Sequence, residues 1–260
     1  MFDDLTHRTK QWLRYQKTAK TKYYLHSPFV YSFYTNFIAA SSSIETKEIE
    51  LQFFKAKKDT TPLQIHDYGA IPGHFTKRVQ DIAKRAAIEP RFGALMHRWL
   101  KQDSMYFVLE LGTSLGFGTA YMASAKPDLE IYTIDAAAEV QAFAKSLHYK
   151  LGLKNITYIE GQFDHVLPPL LYDIPRIDFA YIDGNHTEEA TLRYFEWLKP
   201  KLHEQSVVVF DDIYWSLGMT AAWEKIKLDD TVNLSIDLYR QGWVFFNKEK
   251  IAKEHFVLRF

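Results

Sequence analysis

From Tyr106 onward the chain alternates short apolar runs with amphipathic stretches of about a dozen residues, the pattern of strand–helix–strand units that build a parallel sheet. The runs are Tyr106–Leu111, Glu130–Ile134, Ile156–Ile159, Ile177–Ile182, Ser206–Phe210, Leu234–Leu238 and Trp243–Phe246. A helix fits between successive members of the first five. Only TyrArgGlnGly separates the last two, too little for a crossover, so they are expected to form an antiparallel hairpin. The expected fold class is therefore α/β, a doubly wound and mostly parallel sheet of seven strands.

The region before residue 100 has a different character. Trp12, Tyr15, Tyr23, Phe29, Phe33 and Phe37 recur in helical spacing as candidate core positions, and Leu63–Asp67 is the single short strand candidate. Ser27 and Pro28 predict a helix starting at Pro28, since proline suits a first helical turn. The chain is thus read as a mostly helical region over 1–100, a lid, substrate or dimer surface, followed by an α/β domain over 101–260. No internal repeat or low-complexity linker interrupts it.

Hydrophobic residues make up 47% of the chain and charged ones 25%, enough burial to offset the entropy of ordering it. Lys plus Arg and Asp plus Glu are equal at 32 each, which removes any whole-molecule attraction to nucleic acid or an anionic membrane. The chain has no cysteine, which excludes disulfides, thiolate metal sites and thiol nucleophiles. Its first residues, MetPheAspAspLeuThr, lack the apolar stretch of a secretory signal, and no run approaches the ~20 apolar residues of a membrane helix. A cytoplasmic protein is expected.

Val108–Thr119 reads as a strand, a loop with glycines at 112, 116 and 118, and the start of a helix. Such a loop permits close backbone approach to a ligand and offers it helix N–H groups. The spacing GlyXXXGlyXGly is not that of a dinucleotide pyrophosphate loop, and Glu110 would repel a pyrophosphate. Asp135 ends the next strand, 25 residues after Glu110, where an acid accepts the hydroxyls of a ribose. A nucleoside without phosphates suits this set.

At this point the sequence resembles the class I S-adenosylmethionine-dependent methyltransferases, whose fold is Rossmann-like. Glu110LeuGlyThrSerLeuGlyPheGlyThr119 is similar to the first motif of their small-molecule O-methyltransferase branch. The resemblance covers roughly 106–248. It implies S-adenosylmethionine as cofactor, with Glu110 and Gly112 near its methionine part, Asp135 on the ribose, Gly161 and Gln162 near adenine, and Thr113, Ser114 and Gly116 also among the cofactor-binding residues. A second strand-acid-glycine stretch, Ile65–Gly73, has no following acid-tipped strand and is read as a turn or a substrate-side loop.

Asp183, Asp211 and Asp212 end two further strands and should converge, because ligands bind outside the carboxyl ends of strands in an open α/β sheet. Clustered carboxylates repel unless a cation or proton compensates, and oxygen ligands suit Mg²⁺, Mn²⁺ or Ca²⁺. Here the resemblance narrows to the metal-dependent catechol and sugar O-methyltransferases. It implies Mg²⁺ on Asp183, Asp211 and Asp212, a small hydroxylated acceptor, and Asp183 also beside the cofactor. His186 is the candidate proton acceptor. The lysine base of that branch has no counterpart in GlyAsnHisThrGluGlu. Plainer roles stay open: Asn185 and Asp212 as helix caps, and Tyr214, Trp215 and Met219 as packing or as pocket walls. The other classes compatible with the fold are a metal-independent methyltransferase, a nicotinamide oxidoreductase and a non-catalytic binding protein. Whether the C-terminal HisPheValLeuArgPhe is a strand is open, and a homodimer through the aromatic N-terminal region is a further expectation.

Overall fold

A computed structural model describes residues 2–40, 44–67, 73–246 and 253–260. The chain divides into two compact units, Ser41–Ile174 and a discontinuous one made of Met1–Ala40 with Pro175–Phe260. This division cuts across the boundary read at residue 100. Up to that residue the described chain holds α1 (Phe2–Thr18), α2 (Pro28–Phe33), α3 (Lys47–Ala56), strands β1 (Pro62–Asp67) and β2 (Gly73–Arg78), α4 (Val79–Arg85) and α5 (Pro90–Leu100). Helix α2 begins at Pro28, as its ring geometry predicts.

The continuous unit adds β3 (Phe107–Leu111), α6 (Phe117–Ala123), β4 (Glu130–Asp135), α7 (Ala138–Lys150), β5 (Ile156–Glu160) and α8 (Phe163–Asp173). Strands β3, β4 and β5 are parallel neighbours, with Leu111 opposite Ile134 and Asp135 opposite Glu160. Their carboxyl ends therefore finish side by side. In the same unit β1 and β2 form an antiparallel hairpin. Strand β2 is a correction to the single strand expected before residue 100, and the helix that follows it begins at Val79. The turn of the glycine-bearing stretch, residues 68–72, lies outside the described residues.

The discontinuous unit holds β6 (Phe179–Ile182), α9 (Glu188–Leu198), β7 (Val207–Phe210), α10 (Leu217–Leu228), β8 (Leu234–Asp237), β9 (Gly242–Phe245) and β10 (Glu254–Val257). Their order is β10-β8-β9-β7-β6, with β9 antiparallel to both neighbours and the other pairs parallel. The expected hairpin is β8–β9. Strand β10 settles the open question of the C-terminal segment and brings the strands from Phe107 onward to eight among the described residues, one more than expected.

Every residue of β6, β7, β8 and β9 is buried, which explains why these strands read as unbroken apolar runs. Strand β6 starts two residues later than its apolar run because buried Asp178 is held by His203 at 2.7 Å and Arg176 at 3.1 Å. Helix α1 is tied down within its unit: Tyr15 Oη donates to the Leu258 carbonyl at 2.8 Å and accepts from the Phe260 N–H at 2.9 Å. Tyr15 and Phe33 are core residues as expected. Trp12, Tyr23 and Phe29 are exposed instead, although Phe29 meets Phe245 edge-on. Among the described residues no helix is long and apolar enough to cross a membrane.

Candidate active site

In the continuous unit the ends of β3, β4 and β5 carry Glu110, the 112–116 loop, Asp135 and Gly161. The loop leaves β3 through Gly112 at φ 104° and reaches α6 through Gly116 at φ 82°, conformations that an L side chain resists. Between them Ser114, itself at φ 47°, donates its backbone N–H to Asp135 Oδ2 at 2.8 Å. Ala137 N–H donates to Asp135 Oδ1 at 2.9 Å, and Gly161 N–H to the Asp135 carbonyl at 3.0 Å. Asp135 thus joins the three strand ends.

Beneath the loop lies a buried hydroxyl relay. Glu110, 1% exposed, accepts hydrogen bonds from Thr119 and, at 2.6 Å, from Thr133. The Thr133 hydrogen is committed to Glu110, so the 2.6 Å contact between Thr113 and Thr133 has Thr113 as donor. Burial pushes the Glu110 carboxyl up to about 8 against the pull of these hydroxyls.

His148 of α7 supports the loop from another side. Its Nε2 lies 2.7 Å from the Gly116 carbonyl and its Nδ1 2.7 Å from Tyr158 Oη. Burial takes the ring down to about 4, so it is neutral, and because a carbonyl only accepts, the proton sits on Nε2. A Cβ at Gly116 would come 2.6 Å from both Ala144 Cβ and His148 Nε2. Gly116→Ala is accordingly expected to destabilise the protein by about 1–3 kcal/mol through overpacking and left-handed strain, read as a lower urea midpoint. An unchanged midpoint would show that the loop relaxes freely.

The acids lie in the discontinuous unit. Ile182 pairs with Phe210, and Asp211 N–H donates to the Ile182 carbonyl at 3.0 Å, which sets Asp183 and Asp211 at adjacent strand ends. Tyr181 Oη donates to Asp183 Oδ2 at 3.0 Å, and His186 Nε2 lies 3.5 Å from Asp183 Oδ1. Burial and then the Asp211 charge hold the Asp183 carboxyl well above the usual carboxylate range. Burial draws His186 down, against the pull of the Asp212 charge, which favours the neutral imidazole.

The cation among these acids belongs to the protein. Arg240, in the β8–β9 turn, donates from Nε and Nη2 to Asp211 Oδ2 at 3.0 and 2.9 Å, and its Nε lies 3.5 Å from Asp212 Oδ1. Asp211 is fully buried; burial pushes it up to about 6, with Arg240 pulling it back.

A family model described as a methyltransferase domain matches residues 109–213. The match spans less than half of the chain. Protein R132 of Acanthamoeba polyphaga mimivirus, itself uncharacterized, is 26% identical over 144 residues, 52% of this chain and 64% of that protein, so under two thirds of its length is spanned. Among solved structures, the methyltransferase PaMTH1 of Podospora anserina, bound to S-adenosylhomocysteine, shares 12% identity and a TM-score of 0.62 over 85% of this chain and 94% of its own. An O-methyltransferase of Bacillus cereus, also with S-adenosylhomocysteine, gives 14% and 0.57 over 83% and 97%. TomG, an O-methyltransferase of Streptomyces achromogenes solved with S-adenosylmethionine, gives 19% and 0.54 over 62% and 82%. The fold is that of the class I methyltransferases.

Within the matched region the structure brings Glu110, Gly112, Ser114, Gly116, Asp135 and Gly161 together, with Gln162 next to Gly161 at the start of α8. The Thr113 hydroxyl points inward to Thr133, leaving only its backbone toward a ligand. Asp183, His186, Asp211 and Asp212 form the second group, in the other unit. Asn185 and Asp212 are not helix caps: Thr187 and Ser216 cap α9 and α10, while Asn185 donates to Tyr194 Oη. Tyr214 is engaged with Asp237, Met219 is buried under Thr191, and Trp215 is half-exposed beneath the Arg8 guanidinium.

The three acids do not suit a divalent ion as they stand. Such an ion takes six or more oxygens, whereas Asp211 Oδ2 already accepts two guanidinium N–H groups and Asp183 Oδ2 a phenol. Among the described residues no group of three or more His, Asp or Glu side chains has the arrangement of a metal site. The cation beside Asp211 and Asp212 is Arg240, whose contribution sequence spacing did not reveal. The other residues missed were Thr119, Thr133 and His148; the run of threonines near Glu110 was the available signal.

Proposed function

We propose that this protein transfers a methyl group from S-adenosylmethionine to a hydroxyl of a small molecule. The observation that carries the reading is the convergence on Asp135 of the glycine loop and the β5 end, through the N–H groups of Ser114 and Gly161. This makes a cradle for a ribose and its flanking groups, next to a buried acid where a pyrophosphate would be repelled. Asp135 accepts the ribose hydroxyls, Gly161 and Gln162 border adenine, and the Gly112–Gly116 loop borders the methionine part. Burial keeps the Glu110 carboxyl protonated below about 8 in the ligand-free chain, and a cationic ligand above it would favour its ionised form. When bound, the cofactor supplies an electrophilic methyl group on a sulfonium.

The acceptor-side roles fall to the second group. His186, whose imidazole burial shifts toward the neutral form, would take the proton of the acceptor hydroxyl. Asp183 and Tyr181 hold the ring's surroundings polar, and Asp183 carries its own proton more readily than an exposed acid does. A divalent ion on the acids is the less supported variant, given the place Arg240 takes.

The test is calorimetric titration of S-adenosylhomocysteine with Mg²⁺ and with EDTA. Micromolar binding in both is expected, with Asp135→Ala at least about tenfold weaker from the loss of charge-assisted hydrogen bonds. Absence of binding by the folded protein, or tight binding of NAD in its place, would remove the reading.

A further inference from the structure

We propose that Arg240 is the built-in counter-cation of the acid cluster and keeps divalent metal out, so that deleting its guanidinium turns Asp183, Asp211 and Asp212 into a metal site. Three observations carry this. Arg240 makes both of its short bonds to one oxygen, Asp211 Oδ2, and stands 3.5 Å from Asp212, so a single cation faces two consecutive acids. Its carbonyl accepts from Ile213 N–H at 3.1 Å, which fixes the β8–β9 turn against the segment that bears those acids. Asp211 is itself fully buried, so its charge has to be answered from within the protein.

Guanidinium and a divalent ion compete for the same carboxylate oxygens. Arg240 is only 17% exposed, and it brings its charge without the dehydration that Mg²⁺ resists. With it present, a further double charge at the cluster meets a fixed positive neighbour. Without it, three acids at adjacent strand ends are left to repel one another, the situation in which oxygen-rich sites take up Mg²⁺ or Mn²⁺. If the methyltransferase reading holds, a corollary that rests on it is turnover that survives chelation.

The experiment is a Mn²⁺ titration followed by the electron paramagnetic resonance of the free ion, on the full chain. Wild type and Arg240→Lys are expected to show no site tighter than about 1 mM, and Arg240→Ala one site at least about tenfold tighter, lost again when Asp212→Asn is added. One tight Mn²⁺ on the wild type, or no gain in folded Arg240→Ala, overturns the proposal. Where Arg240→Ala does not fold, Arg240→Gln, which keeps a donor toward Asp211, takes its place under the same criteria. Metal alone is the probe, so the result is independent of methyl transfer, and S-adenosylhomocysteine binding measured in parallel reports separately on the proposed function.

Discussion

Glu110→Gln is expected to raise the stability of the ligand-free protein at alkaline pH while weakening its hold on a cationic cofactor. The carboxyl sits at about 8 in the folded chain, against 4.5 as its ordinary value, because burial penalises its charge more than the Thr119 and Thr133 hydroxyls relieve it. Between those two values the folded protein keeps a proton that the unfolded chain has already released. The contribution of this group to stability is therefore complete below 4.5 and drains away as pH rises toward 8, at about 1.4 kcal/mol per unit. Glutamine cannot ionise and escapes that loss. Relative to wild type, the variant should gain about 3–5 kcal/mol between pH 5 and pH 8.5, read from urea midpoints at the two values. Parallel profiles for the two proteins would refute a buried titrating Glu110. On the proposed function, affinity for S-adenosylmethionine should fall by about ten- to a hundredfold, and for the uncharged sulfur of S-adenosylhomocysteine by less.

The second large effect concerns the other unit. Arg240→Ala leaves Asp211, fully buried, with its carboxylate uncompensated, and removing one partner of a buried ion pair costs about 3–5 kcal/mol. In a chain of this size that corresponds to a melting temperature lower by roughly 6–20 °C. Replacing both partners, as in Asp211→Leu with Arg240→Met, removes the buried charge along with its counter-charge and should recover most of the loss. A double variant no more stable than Arg240→Ala would mean that the pair acts through the backbone of its turn and not through charge.

These residues also mark what sequence reading could and could not reach. The strands were legible to within about two residues because buried parallel strands are written as unbroken apolar runs, and the TyrArgGlnGly gap admits only a hairpin. The places of Glu110, Gly112, Gly116 and Asp135, at strand ends and in the loop between β3 and α6, were legible because the apolar runs mark where those strands finish. Arg240 was read as part of a turn. That it neutralises acids 28 and 29 positions earlier depends on which strands become neighbours, and β9 lies beside β7 through an antiparallel pairing that spacing alone does not specify. The Thr113–Thr133–Glu110 relay is similar: it exists only because Glu110 and Thr133 are directly paired across β3 and β4. Strand β2 was missed because its lysine and arginine suit a solvent-exposed strand as well as a helix.

The split of one unit into two chain segments has a consequence for the order of folding. Residues 41–174 are contiguous and hold the glycine loop, Asp135 and the three strands that carry them. They can condense from local contacts as soon as that stretch has been synthesised. Helix α1 must wait, because the Tyr15 hydroxyl finds its acceptor and donor at Leu258 and Phe260, more than two hundred residues away. Pulsed hydrogen exchange during refolding should therefore protect the amides of β3, β4 and β5 first, leaving the first helix among the last segments to become protected. The nucleoside cradle would then exist as a folded body before the acids and their arginine are assembled.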